Sequence, residues 1–119
     1  MIGEPSREAL DRLPRLYQTE AVPIEETVIH LHFFIGACDW WAAEFDGEDL
    51  FFGFVCLGDP INAEWGYFRL SELRDTRVVT ELRDGRTGEV LGKVPVEVEF
   101  DAFWRPRPFG EVREEKGFL

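Results

Sequence analysis

Lysine and arginine are absent from Leu16 to Phe68, a run that nonetheless holds ten carboxylates: Glu20, Glu25, Glu26, Asp39, Glu44, Asp46, Glu48, Asp49, Asp59 and Glu64. With no cation in the segment to pair with or screen these acids, its local potential is strongly negative. The whole chain carries a net charge of -11. Nonspecific binding to nucleic-acid phosphate needs clustered Lys and Arg that release counterions, so this balance argues against direct nucleic-acid contact. It argues equally against anionic membrane surfaces. The partners it favours are positive: a basic protein surface or, more weakly, a divalent cation.

Other scarcities narrow the class further. Only two cysteines occur, Cys38 and Cys56. The opening MIGEPSREALDRLPRL has charges throughout and no apolar core of a signal peptide. Free thiols in a reducing cytoplasm are therefore expected. The longest apolar run, Leu50 to Leu57, is far too short to cross a bilayer. No G-x-G-x-x-G follows a strand, and no Walker loop, H-E-x-x-H or G-x-S-x-G is present. A serine triad would have to recruit Ser6 or Ser71 with a histidine from a strand interior, which is a weak arrangement. Repeats, low-complexity tracts and linkers are missing too, so residues 1–119 read as a single domain.

What is present is aromatic and β-forming. Residues 16–68 contain both histidines, both cysteines, three of the four tryptophans and seven of the eleven phenylalanines. Ser6 reads as the N-cap of a short first helix that Pro14 must end. Thr27–Ile35, Trp40–Phe45 and Leu50–Leu57 are apolar runs separated by short Gly/Asp loops, the pattern of antiparallel hairpins. A fourth strand is expected over Trp65–Phe68, then a one-turn helix capped by Ser71. Val78–Leu82 and Val90–Val94 flank a further hairpin turn. Val96–Trp104 alternates apolar and acidic residues as one half-buried strand. Glu111–Lys116 reads as a terminal helix. The expected fold is α+β: a single, strongly bent antiparallel meander of about six or seven strands, with short helices at the N-terminus, after strand four and near the C-terminus.

Four-residue loops would place Ile35 opposite Trp40 and Phe45 opposite Leu50. In that register His30, His32, Phe34, Trp41, Ala43, Phe45, Phe52 and Phe54 share one face. Ile29, Leu31, Phe33, Trp40, Ala42, Glu44, Phe51, Val55 and Leu57 share the other. Both faces are largely apolar, so both need cover, one from the helices and one from a second layer or a partner chain. A homodimer would supply the latter.

Chemistry-bearing candidates lie in the same region. His30 and His32 sit at i and i+2, a spacing used by metal sites on sheets, but His32 would face Ala43 and His30 would face Phe45. Hydrogen-bonded core or groove histidines are the preferred reading. Glu44 stands mid-strand among apolar groups, where a carboxylate must be paired or protonated. Pairing with Arg69 or Arg105 is the preferred reading. The alternative joins Glu44 to Asp46 and Glu64, with His32 or His30, as a divalent-cation or acid/base site. Asp39 should face Cys56, placing Cys38 beside it and permitting a bridge under oxidation. The aromatic cluster that includes Trp40, Trp41 and Trp65 reads as core packing rather than a base-stacking platform.

Several ordered motifs carry a family resemblance: Leu13-Pro14-Arg15-Leu16-Tyr17-Gln18-Thr19-Glu20, His32-Phe33-Phe34, Trp41-Ala42-Ala43-Glu44-Phe45-Asp46 with Phe52-Gly53-Phe54-Val55, Glu64-Trp65-Gly66-Tyr67-Phe68 with Leu70-Ser71-Glu72-Leu73, and Trp104-Arg105-Pro106-Arg107-Pro108. As a set they resemble domain-of-unknown-function family 2958, small bacterial proteins associated with mobile elements. The resemblance implies a family-like core over 6–112, a longer hairpin at 83–92 and a tail at 113–119. It implies an intracellular protein of mobile-element context and no reaction. A single-strand DNA endonuclease label carried by some members is not extended to this chain.

Two functions follow as expectations. The leading one is a non-enzymatic binding or regulatory module that presents acids to a basic protein, with a DNA-charge-mimicking, anti-defence version allowed by the family context. Its binding residues would be Glu20, Trp40, Trp41 and Trp65. The competing one is a divalent-metal-dependent nuclease or hydrolase built on Glu44, Asp46, Glu64 and His32.

Overall fold

Strand formation begins with the β-branched and aromatic run after Thr27. In the computed structural model, which describes residues 1–117, this run gives β1 (Val28–Ile29) and β2 (Leu31–Ile35). β3 (Cys38–Phe45), β4 (Leu50–Leu57) and β5 (Glu64–Arg69) follow. The later strands are β6 (Arg77–Arg83), β7 (Val90–Glu97), β8 (Glu99–Phe100) and β9 (Arg107–Pro108). Gly36 and Gly47 take φ of 54° and 94° in the two hairpin loops, a region closed to most side chains. From β2 to β5 the chain meanders as expected, with the order β5-β4-β3-β2-β8 across the sheet.

The rest departs from the expected single bent sheet of six or seven strands. Three separate antiparallel sheets form, of two, five and two strands, accompanied by three α-helices. Each separation has a local cause. β6 and β7 pair only with each other, and every residue of β6 is exposed, Val78, Val79 and Leu82 included, so this hairpin stands apart from both cores. Val96–Trp104 does not run as one strand. Its alternation is interrupted at Val98, whose side chain is fully buried and whose carbonyl accepts from the Ile2 amide at 2.9 Å. The chain therefore leaves the ribbon, adds β8 to the edge of the main sheet beside β2, and turns at Asp101. β1 parts from β2 at His30 and pairs instead with β9. Ile29 then packs in one core and Leu31 in the other.

Register is where alternation matters. The loop between β2 and β3 is two residues, Gly36-Ala37, so Ile35 pairs with Cys38 and His32 with Trp41. This differs from the expected register by two positions, which leaves the faces unchanged. Between β3 and β4 the pairs Asp39–Cys56, Trp40–Val55 and Trp41–Phe54 form as expected. A bulge then intervenes between Ala42 and Glu44, pairing Glu44 with Phe52 and Phe45 with Phe51. One extra residue flips everything beyond it. Phe45 enters the core with Phe33, Phe51 and Phe68, and Glu44 turns to the opposite face.

Helices cover both faces. α1 (Arg7–Asp11) begins at Ser6, whose hydroxyl accepts from the Ala9 amide at 3.1 Å. α2 (Leu70–Asp75) is capped from outside rather than by Ser71: Asp49 accepts from the Ser71 amide at 2.8 Å and from its hydroxyl at 2.6 Å. Leu10 and Leu13 from the N-terminal segment and Leu70 and Leu73 from α2 seal the first core. α3 (Phe109–Lys116) ends at Gly117 in the left-handed conformation and places Phe109 and Val112 on Trp41, Ala43 and Cys56. The second face is thus roofed by the chain's own last helix, the cover that the sequence left to a second layer or a twin. Residues 113–116 of the expected tail belong to this helix, and residues 118–119 lie outside the described residues.

Candidate functional site

Glu44 is where the bulge has its chemical consequence. Displaced onto the face shared with Phe52, it is only 4% exposed. Among the described residues its partners are backbone amides and a hydroxyl, not the arginine that was expected. Oε1 accepts from the Tyr17 amide at 2.9 Å, and Oε2 accepts from the Thr19 amide at 3.0 Å and from the Thr19 hydroxyl. Pro14 accepts from the Phe45 amide at 2.9 Å, which ties the same loop to the end of β3. Tyr17 is the one non-glycine residue with positive φ among the described residues, at 71°. That conformation costs about 1 kcal/mol or more for a side chain of this size, and the Glu44 carboxylate holds it in place.

The loop and the β4–β5 surface enclose a cleft of about 460 Å³. Phe52, Trp65 and Tyr67 form one wall, with the Phe52 and Trp65 rings stacked at 5.8 Å and the Phe52 and Tyr67 rings tilted at 5.1 Å. Tyr17, Thr19 and Glu20 form the other, and Glu44 lies at the base. Tyr67 is pushed above the ordinary phenol range, first by a hydrogen bond with the Tyr17 side chain, then by lost solvent and by the charges of Tyr17, Glu44 and Glu20. The two carboxylates therefore act on the same point in the cleft.

The remaining acids of the expected constellation lie elsewhere. Asp46 closes its own loop, Oδ1 accepting from the amides of Glu48, Asp49 and Leu50 at 2.8, 2.8 and 3.0 Å. Partial burial raises its pKa, but those three amides and Arg69 outweigh it, and the net shift is downward. A carboxylate depressed in the folded state contributes stability above its unfolded value of 3.8, and that contribution disappears as pH falls through the folded value. Asp46→Asn should accordingly be less stable than the parent in urea melts at pH 6, by about 1 kcal/mol or less because the side chain is largely solvated. The gap should narrow as pH falls from 6 to below the unfolded value of 3.8. A gap that is constant with pH would refute this assignment.

Glu64 is exposed on β5 beside Trp65, so strand alternation points it away from Glu44. Among the described residues, no group of three or more His, Cys, Asp or Glu side chains is arranged to hold a metal ion. His32 is buried, with Nε2 2.8 Å from Asp39 and Nδ1 3.0 Å from Asp101. Its ring stacks on Trp41 at 5.4 Å and meets Trp104 at 5.1 Å. A charged ring donates to both carboxylates, whereas a neutral ring donates to one. His30 is half-buried near α1 and Trp104, and burial lowers its pKa. The break at His30 separates the two histidines that the i, i+2 spacing would have paired.

Cys38 and Cys56 are free, and they pack against different cores, Cys38 on the first and Cys56 in the second. Opposite faces of a sheet do not suit the Cβ separation of a disulfide. Burial, then Asp39 and Cys56, push the Cys38 thiol up. Of the expected binding residues, Trp40 and Trp41 are core and Trp65 is half-buried in the cleft wall, with Glu20 exposed at its rim.

In a comparison with protein families, residues 6–98 fit the model described as Protein of unknown function (DUF2958). The chain belongs to that family. The DUF2958 match takes in the Tyr17–Glu20 loop, the bulged hairpin, β5 and α2, and it stops before the Trp104–Pro108 motif. A search of curated proteins and a search of solved structures each return no match.

Tyr17, Thr19 and Tyr67 are not legible in the sequence as site residues, and Phe52 is legible only as one of the aromatic cluster read as core packing. The only signal for the first two was the Leu13–Glu20 motif itself, which has no periodicity to say what its amides bind.

Proposed function

We propose that this DUF2958 chain is a non-catalytic binding module whose carboxylate-bearing side takes a basic protein surface. One observation carries the reading. Of the ten carboxylates between Leu16 and Phe68, ion pairs reach only Glu25 (Arg113), Asp39 (His32, and Lys116 at 3.7 Å) and Asp49 (Arg69 at 3.9 Å) among the described residues. The other seven form no ion pair there. Several cations pair instead with carboxylates outside this segment, as in Arg7–Asp11, Arg12–Glu8, Arg74–Glu4 and Arg107–Glu115. The 13 cations of the chain are offset by 14 carboxylates outside the segment, so nearly all of the net charge of -11 resides within it.

A surface of one sign steers oppositely charged partners and rejects like-charged ones. A mobile-element setting, which the family resemblance implies, would make the basic groove of a DNA-handling or defence protein a suitable counterpart. Immobilised protein exposed to host lysate at low salt should retain proteins of high isoelectric point and release them by about 0.5 M salt, where the screening length falls to a few ångströms. Reversing Glu20 and Glu48 to Lys should abolish retention. Retention of no basic protein, or retention indifferent to salt and to the reversal, would overturn the proposal.

A further inference from the structure

We infer that the cleft beneath the Tyr17–Glu20 loop receives a single arginine guanidinium from an extended segment of the basic partner. This deepens the binding-module reading and rests on it.

Four observations converge on that ligand. The cleft, at about 460 Å³, has the size of a small-ligand site rather than of a packing defect. Its wall is aromatic, from Phe52, Trp65 and Tyr67, and its charged groups are Glu20 and Glu44 alone, with no lysine, arginine or histidine lining it. Glu44 is almost completely buried, yet all three donors that meet it are neutral. A carboxylate offers about four acceptor positions, so one remains, and no cation is among the partners that meet it. Finally, the chain shows the same recognition elsewhere in its own fold. Arg107 lies with its guanidinium carbon 3.9 Å from the centre of the Trp104 ring, and it donates from Nε and one terminal nitrogen to Glu115 at 3.1 and 2.5 Å. An aromatic face plus a carboxylate is thus a combination that this protein already uses to hold guanidinium, and the cleft repeats both parts without an internal arginine.

The choice among cations follows from the donor set. A guanidinium is planar, stacks on a ring face and donates in a fork, whereas an ammonium is a strongly hydrated point charge. A quaternary ammonium has no N–H to give to Glu20 or Glu44. The segment is extended because β5 is an edge of the five-stranded sheet, with no strand beyond it among the described residues. A strand laid along that edge can pair its backbone while its arginine enters the cleft.

The test uses three capped pentapeptides, acetyl-Gly-Gly-Xaa-Gly-Gly-amide with Xaa as arginine, lysine or the neutral isostere citrulline, titrated into the full chain and followed by the indole signals in NMR spectra. The arginine peptide should bind with Kd of about 1 mM or below, the citrulline peptide at least about tenfold more weakly and the lysine peptide in between. Glu20→Gln and Tyr67→Ala, both at exposed positions, should each weaken the arginine peptide by about three- to tenfold. Glu89→Gln in the distant hairpin removes the same charge and should leave it unchanged. Equal binding of all three peptides, or an effect of Glu89→Gln as large as that of Glu20→Gln, would overturn the inference. If basic proteins are retained in a salt-sensitive way but the arginine peptide does not bind, the cleft assignment fails and the wider reading stands. If the peptide binds and no basic protein is retained, the guanidinium site stands and the wider reading fails.

Discussion

Gly53→Ala should destabilise the protein by about 3 kcal/mol or more, a larger loss than an ordinary surface or strand substitution produces. A Cβ at this position would stand 1.9 Å from the Trp41 carbonyl oxygen, 2.8 Å from the Trp41 carbonyl carbon and 3.0 Å from the Ala42 Cα. All three are backbone atoms of β3, so no side-chain rotamer can relieve the clash. The close approach occurs immediately before the bulge, where Ala42 pairs with Gly53 and the next pair is Glu44 with Phe52. Bending of β3 over β4 at this point leaves room for a hydrogen and nothing larger. Gly66, the partner of Gly53 on β5, has no atom within 4 Å of a built Cβ. Gly66→Ala should therefore change stability by less than about 1 kcal/mol in either direction. Urea melts of the two variants give the comparison. Near-equal midpoints for Gly53→Ala and the parent would mean that the bulged register is wrong.

Glu44→Ala ranks second. The substitution strips the Tyr17 and Thr19 amides of their acceptor and leaves the left-handed Tyr17 without support. Hydrogen bonds to a charged acceptor are worth roughly 1.5–3 kcal/mol each, but the freed loop can turn its amides to water, so a total loss of about 3 kcal/mol is expected. Hydrogen exchange locates the effect: the Tyr17 and Thr19 amides should lose protection while those of β4 keep theirs. Glu44→Gln retains one oxygen but turns an amide donor toward another donor, and should cost about 1–2 kcal/mol. A Glu44→Ala protein with unchanged melting and unchanged exchange at Tyr17 and Thr19 would show that the loop does not depend on this carboxylate.

Elements with a strong local signal were legible. The β2–β5 meander follows from apolar runs punctuated by Gly and Asp, and the register expected for β3 and β4 contains the Asp39–Cys56 pair that forms. Ser6 marked α1 correctly. The misreadings share one origin. Ala42 and Ala43 give no hint of which residue is extruded, yet the bulge decides which face Glu44 and Phe45 occupy. Val96–Trp104 alternates well enough to be a strand, but the Val98 carbonyl is claimed by the distant Ile2 amide. His32 finds Asp101 across 69 residues, and Glu44 finds Thr19 across 25. Partnerships of that length leave no periodic trace along the chain.

The β6–β7 ribbon has an evolutionary corollary. Its strands bond to each other and its outer residues contribute to neither core; only Val96, near its base, touches the first. Adding or removing residue pairs at the Asp84–Glu89 tip would lengthen or shorten a projecting finger without altering a single contact beneath the helices. Related chains are thus free to vary in reach at this point, and a foreign epitope grafted there would ride on the molecule as a passenger.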